Sequence, residues 1–334
     1  MLKYQVLSCV RNIVPYGIME KRRKRQVEDK LKYLSAVDGP TIYNAEGEKM
    51  LYCYLDDDLL GWQFFSFTRH QYPHRIMWDR INPSIKMHFY GHGQIGSIVG
   101  NPERKFAILV ETEEICPDVY AKLYNDPSLA NQFDGVFTHS EKLLNKYENA
   151  FFIPAGGVWY GHTPYGGKVS NDLYLQKTKG ISIVSSNKAM CDLHQLRINI
   201  AQSLKETKGA DTFGTFDGGK YVSISETLES YRYSIIIENT VSPYCFTEKI
   251  LNCFLSMTIP IYLGAPKIGE FFNADGIVQM TLHDAEKNLS DIISMCTEKY
   301  YNDHIDAIID NFNRVMKYSC QEDYITAKYS DMFI

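Results

Sequence analysis

The chain has no C-x-x-C pair. None of its eight cysteines (Cys9, Cys53, Cys116, Cys191, Cys245, Cys253, Cys296 and Cys320) has a histidine at zinc-finger spacing. That pattern speaks against a metal-stapled or disulfide-stapled scaffold, and scattered single thiols suggest a reducing compartment. No run reaches the ~18 apolar residues that cross a bilayer. The N-terminus, MLKYQVLSCVRNIVPYGIMEKRRKRQ, does not have the form of a signal peptide. Its short apolar stretch is broken by Arg11 and Pro15, and its basic run comes after that stretch. A cytoplasmic protein is expected, and the Asn288-Leu289-Ser290 sequon carries no weight under that expectation. Surplus positive charge is missing too: 35 Lys and Arg against 40 Asp and Glu leave a net charge of −5. No overall cationic field is available to hold nucleic acid. Repeats and low-complexity tracts are absent from the sequence.

What is present suits a folded α/β body. The 334 residues are enough for about two domains. With 45% hydrophobic and 22% charged residues, the chain is neither disordered nor fibrous. One cationic cluster, Lys21 to Arg25, precedes QVEDKLKYL and reads as the solvated face of a surface helix. It is the one candidate for peripheral contact with an anionic membrane or a polyanionic acceptor.

Strand-like and helix-like segments alternate along the chain, which points to parallel sheets covered by helices. In the first half, MLYCYL, KMHFY, 105–110, 134–138 and 150–153 read as strands, and Ser140 as the N-cap of a helix. Residues 154–178 are dense in Gly and Pro and read as an interdomain connection. After them the alternation restarts. Residues 180–185, 231–237, 258–263 and 276–280 are strand-like, 192–204 and 247–256 are helix-like, and the tail from about 285 is helical.

Three motifs carry chemistry. GHGQIG (Gly91, Gly93, Gly96) matches G-x-G-x-x-G, but Gly100 and Pro102 stand where the phosphate-binding helix should run. A dinucleotide site is therefore rejected. Asp56-Asp57-Asp58 offers a metal-binding D-x-D, but an acidic turn is the preferred reading. The third motif is YRYSIIIENTVSPYCFTEKIL. A buried strand delivers Glu238 and Asn239 at its C-terminal end, where ligands of open α/β sheets bind. A helix then opens near Thr247 with Glu248 and Lys249 in its first turn. Free amides and an uncompensated lysine at a helix N-terminus favour an anionic ligand, and Glu248 is placed to accept ribose hydroxyls.

The segment 230–264, with Asn239, Lys249, Pro260 and Gly264 at fixed steps, resembles the signature of glycosyltransferase family 10, the α-1,3/1,4-fucosyltransferases. SIVSSNKAMCDLHQLRINIAQSL, with Asn187 and Arg197, and DGGK at 217–220 extend the resemblance over about 180–280. The resemblance implies a GT-B architecture, two Rossmann-like domains facing a cleft. Residues 1–160 would be the acceptor domain, 175–300 the GDP-sugar domain, and 301–334 C-terminal helices packing back on the first domain. It implies that Arg197 and Lys249 neutralise the diphosphate of GDP-fucose, Glu248 contacts its ribose and Asn239 contacts the donor. It also implies that no metal or other cofactor is required. FAILVETEEICPDVY matches a short acidic motif of the family. That makes Glu111, at a strand end, the expected general base, with Glu113 on the same strand face as the runner-up. One departure concerns the donor loop: the family's Tyr is Cys245 here, with Tyr244 one place earlier. The expected activity is inverting transfer of a sugar, L-fucose first, to a glycan hydroxyl in glycan biosynthesis. Another nucleotide sugar in the same cleft, or a silent nucleotide-sugar or glycan-binding protein, are the alternatives. Tyr and His residues around 70–92, including His70, His74, His88 and His92, are candidates for an acceptor groove, with His139 nearby in the same half.

Overall fold

A computed structural model describes residues 42–58 and 73–334. The Lys21–Arg25 cluster, Cys9 and His70 lie outside the described residues. The seven described cysteines are free thiols.

Among the described residues seven strands make the first sheet: β1 (Ile42–Tyr43), β2 (Lys49–Asp56), β3 (Ile76–Asp79), β4 (Met87–Gly91), β5 (Arg104–Leu109), β6 (Gly135–Thr138) and β7 (Ala150–Phe152). Among the described strands of this sheet only β1 is antiparallel. Tyr54 pairs with Asp79 of β3 and also with His88 of β4, so these two strands take opposite edges of β2. The parallel order is therefore β3-β2-β4-β5-β6-β7, and chain order reverses between β2 and β4. Helices α1 (Pro117–Asn125), α2 (Pro127–Asn131) and α3 (Glu141–Lys146) connect the later strands. Ser140 caps α3 by accepting from the Leu143 amide.

The second sheet is wholly parallel. Its strands are β8 (Lys179–Ser185), β9 (Asp211–Gly214), β10 (Tyr231–Ile237), β11 (Ile259–Leu263) and β12 (Val278–Gln279), in the order β12-β11-β10-β8-β9. Here the reversal falls between β8 and β10. Central strands of such a sheet are covered on both faces, which explains why β11 is buried along its whole length. Helices α4 (Asp192–Thr207), α5 (Ile224–Leu228) and α6 (Glu248–Leu255) follow β8, β9 and β10. The tail carries α7 (Leu289–Met295), α8 (Glu298–Asp303), α9 (Ile305–Val315) and α10 (Gln321–Lys328).

The tail packs on both sheets. The Trp78 indole on β3 donates to Glu322 Oε1 at 3.0 Å, and Gln321 Nε2 donates to the Pro154 carbonyl at 2.6 Å. Phe333 lies among Phe89, Phe106 and Phe137, with ring centroids 6.3, 5.3 and 6.2 Å away. One apolar core joins both sheets as a result. The connection at 154–178 is pinned rather than free: the Trp159 and Tyr160 amides both donate to Asn252 Oδ1 on α6, at 2.8 and 2.9 Å. None of the helices among the described residues is long and apolar enough to cross a membrane.

Candidate active site

In each sheet the strand order reverses between two neighbours, β2 and β4 or β8 and β10, and ligands of open α/β sheets bind in the crevice outside the C-terminal strand ends at such a point. At the second crevice, β10 ends at Ile237 and hands over to Glu238 and Asn239. Helix α4 brings His194 and Arg197 to the same place. Arg197 is buried, its Nη1 donates to the Ile237 carbonyl at 3.0 Å, and its Nε has no partner among the described residues. Burial lowers its pKa, while Glu238 and Glu248 oppose that shift. His194 accepts from the Met190 amide through Nδ1 at 3.2 Å and so presents Nε2–H to Asn239 Oδ1 at 2.8 Å. The Asn239 NH2 is thereby turned outward, with no partner among the described residues. Sequence reasoning did not single out His194; its spacing of three residues before Arg197, on one helix face, was the available signal.

Lys249 stands across from Arg197. Its ammonium is 3.3 Å from Glu238 Oε2, 3.2 Å from Glu248 Oε1 and 3.0 Å from Thr247 Oγ1. Burial would lower its pKa, but Glu248 and Glu238 outweigh burial and raise it, with Arg197 opposing them. The two cations thus act on one another across a shared carboxylate pair. Two expectations are corrected here. Lys249 is compensated, because the fully buried Glu238 turns its carboxylate toward it. The start of α6 is not a set of free amides either: the Thr247 amide donates to Glu238 Oε1 at 3.0 Å and the Lys249 amide to Thr247 Oγ1 at 3.3 Å. Gly156 of the connection packs against the same turn, and a Cβ there would meet the Glu248 amide at 2.7 Å. Glu248 sits in this cluster with its carboxylate on Lys249, so any sugar hydroxyl it meets competes with that ion pair.

Across the cleft, Glu111 lies just past β5. The strand stops at Leu109, where pairing with Thr138 of β6 ends, so Glu111 and Glu113 stand in a turn. The expected period-two relation between them is therefore corrected. Glu113 is exposed and accepts from the Tyr124 hydroxyl at 2.7 Å, turned away along α1. Glu111 is half-buried, and no described side chain bonds its carboxylate. Its backbone is gripped instead: its N–H donates to His92 Nε2 at 3.1 Å, and its carbonyl accepts from the Tyr120 hydroxyl at 2.7 Å. Glu114, which sequence reasoning passed over, accepts from Thr240 Oγ1 at 2.7 Å and ties this turn to the donor loop. The two halves meet around Cys245. Burial drives that thiol's pKa well up, Glu238, Glu114 and Glu111 push it further, and Lys249 opposes them. Glu111 from the first half and Lys249 from the second thus both lie within electrostatic range of that thiol.

The other candidates fall elsewhere. Tyr244 meets Lys267 Nζ at 2.9 Å, and Lys267 bridges to Glu141 on α3 at 2.9 Å. Its phenol is part of a strap between the halves, while Cys245 is fully buried. For two of the acceptor-groove candidates the expectation is corrected: His88 and His92 are interior groups, as is His139 outside that stretch, whereas His74 is exposed with its ring 2.8 Å from Asp323 on α10. GHGQIG and the Asp56–Asp58 run answer each other. Asp57 Oδ2 meets His92 Nδ1 at 2.7 Å, and Asp58 Oδ1 accepts from the Gly93 amide at 3.0 Å. No α-helix opens at GHGQIG; only a short 3-10 turn covers His92–Gln94.

Two sheets with reversed order at facing crevices define the fold of the GT-B glycosyltransferases. A solved α1,3-fucosyltransferase with GDP superposes with a TM-score of 0.51 at 16% identity, over 93% of this chain and 96% of that one. A second α1,3-fucosyltransferase structure gives 0.52 at 15%, over 89% and 93%. Anabaena Alr3699/HepE in complex with UDP-glucose gives 0.50 at 13%, over 75% and 79%. At these identities the likeness is one of fold. Residues 174–306 match the family described as glycosyltransferase family 10 (fucosyltransferase) C-term, so this segment is a glycosyltransferase family 10 domain. The α-(1,3)-fucosyltransferase FucT of Helicobacter pylori is 36% identical over 86 residues, which span 26% of this chain and 17% of that protein.

Proposed function

We propose that the chain transfers a sugar, L-fucose from GDP-fucose, to a hydroxyl of a glycan acceptor with inversion at the anomeric carbon. The observation that carries this reading is the convergence of Arg197 and Lys249 at the β8/β10 crevice, within the family 10 segment. The nucleotide diphosphate would sit on the unpartnered Arg197 Nε edge and on Lys249, with the outward Asn239 NH2 beside it. As the acceptor oxygen attacks, its proton passes to the Glu111 carboxylate. The new bond forms between that oxygen and the anomeric carbon, and the bond to the diphosphate oxygen breaks with its electron pair leaving on GDP. Fixed cations that meet this growing charge without reorganising stabilise the transition state and do the work a divalent ion does elsewhere. We therefore propose that no metal is needed.

Three measurements test the reading. Thermal shifts with GDP-, UDP- and dTDP-sugars should show stabilisation by the GDP compound that survives EDTA. In a GDP-fucose transfer assay, Glu111→Gln should lose turnover by ~100-fold or more while GDP affinity stays unchanged. Lys249→Ala should weaken GDP by ~10-fold or more, and unchanged affinity would remove the diphosphate assignment. A second reading, another nucleotide sugar in the same cleft, is favoured by the burial of Cys245 and the engagement of Tyr244 with Lys267. Stabilisation by UDP- or dTDP-sugars alone would select it.

A further inference from the structure

We propose that the buried Asp57–His92 pair is a positioning device for the Glu111 carboxylate; this rests on Glu111 being the base of the proposed reaction. The pair closes the first crevice, between the C-terminal ends of β2 and β4. Both side chains are fully buried, with Asp57 Oδ2 and His92 Nδ1 at 2.7 Å. The backbone is shaped to admit them. His92 has a φ of 44°, a left-handed conformation that non-glycine residues rarely adopt. A Cβ at Gly91 would lie 1.8 Å from Asp57 Oδ2, and one at Gly93 would lie 2.4 Å from Asp58 Oδ2. Those glycines exist to let two carboxylates approach, not to cradle a phosphate.

The ring's far nitrogen settles its tautomer. His92 Nε2 faces the amides of Glu111 at 3.1 Å and Val110 at 3.4 Å, which are both donors. Nε2 must then carry the lone pair and Nδ1 the proton, given to Asp57. Arg80 also lies within electrostatic range of Asp57. The Tyr120 hydroxyl holds the Glu111 carbonyl at 2.7 Å from the other side. Both polar groups of one peptide backbone are thus held by buried side chains, while the carboxylate they aim is left without a described partner.

Three variants separate positioning from stability. In Asp57→Asn the amide can donate to Nδ1, the proton moves to Nε2, and the ring then points N–H at N–H. In His92→Asn the amide nitrogen stands near the Nδ1 position and keeps Asp57, and Asn tolerates positive φ, but the acceptor for Glu111 is lost. In His92→Gln the acceptor reaches the Nε2 position while the Asp57 contact is lost. We expect Asp57→Asn and His92→Asn to lose ~100-fold in kcat, with donor KM and GDP affinity within ~2-fold of the parent. We expect His92→Gln to recover to within ~10-fold of the parent kcat although it is the less stable of the two His92 variants. If kcat follows stability, with Asn the better substitute, or if Asp57→Asn keeps full kcat, the assignment is overturned. A parent protein inert with every nucleotide sugar would instead remove the reading of Glu111 as base. Hydrogen exchange at the Glu111 amide tests the clamp even then. It should quicken by ~100-fold or more in His92→Asn, and an unchanged rate overturns the clamp.

Discussion

A carboxylate spent inside the chain, Glu238, decides the electrostatics of the second crevice. It is fully buried and accepts from the Thr247 amide at 3.0 Å and the Thr247 hydroxyl at 2.7 Å, with Lys249 at 3.3 Å. An unpaired buried carboxylate costs several kcal/mol, so those three contacts are conditions of its being there. It also balances the positive end of α6, which is why an anionic ligand is not needed to keep the helix start satisfied. Glu238→Gln must turn an NH2 either onto the Thr247 amide or onto the Lys249 ammonium. The variant should lose about 3 kcal/mol of stability, read from urea unfolding. A loss below about 1 kcal/mol would show that the cluster has no structural role.

Two buried histidines govern how the first sheet responds to acid. His88, on β4, is 2.6 Å from the Ile85 carbonyl and 2.7 Å from the Tyr90 hydroxyl. His139 follows β6, beside Tyr120 and the Val110–Glu111 backbone. Burial lowers the pKa of each to about 4. The unfolded chain, with ordinary histidines, then binds more protons over the interval between the two pKa values. Stability should fall as pH drops from about 6.5 to about 4, by up to about 3 kcal/mol for each ring, and level off below that. Urea unfolding at about pH 7 and about pH 5 measures it, and His139→Gln should flatten the slope. An equal slope in that variant would move the effect elsewhere. At this scale much of the fold was legible. Residues 231–237 were read as a strand and are β10; Ser140 and Thr247 cap the helices expected after them. Residues 111–113 were not legible as a turn. Their alternation looks like a strand, and only the end of pairing with Thr138 stops the ladder at Leu109. Strand β3 was missed for a similar reason: its four residues become a strand by pairing with Leu51–Tyr54 of β2.

At the level of the whole molecule, the last residues stabilise the first sheet. Phe333 is 9% exposed and lies in a ring cluster with Phe89, Phe106 and Phe137. Phe333→Ala should cost about 3 kcal/mol and quicken hydrogen exchange in β4, β5 and β6, despite lying some 200 residues from them. Protection unchanged in those strands would mean that the tail is only laid on the surface.

Local pattern was enough to specify two runs of alternating strands and helices, the ten-residue step from Asn239 to Lys249, and the placement of Glu238 at a strand end. These depend on periodicity and turn chemistry within short windows. Only the folded chain decided where the charges go. Asp57 and His92 are 35 residues apart and Glu114 and Thr240 are 126 apart, and each pair is brought within hydrogen-bond range by the order reversal of a sheet or by the closing of one half on the other. Whether a carboxylate faces water, a ligand or a neighbouring cation depends on what covers it, and that cover comes from segments distant in the sequence.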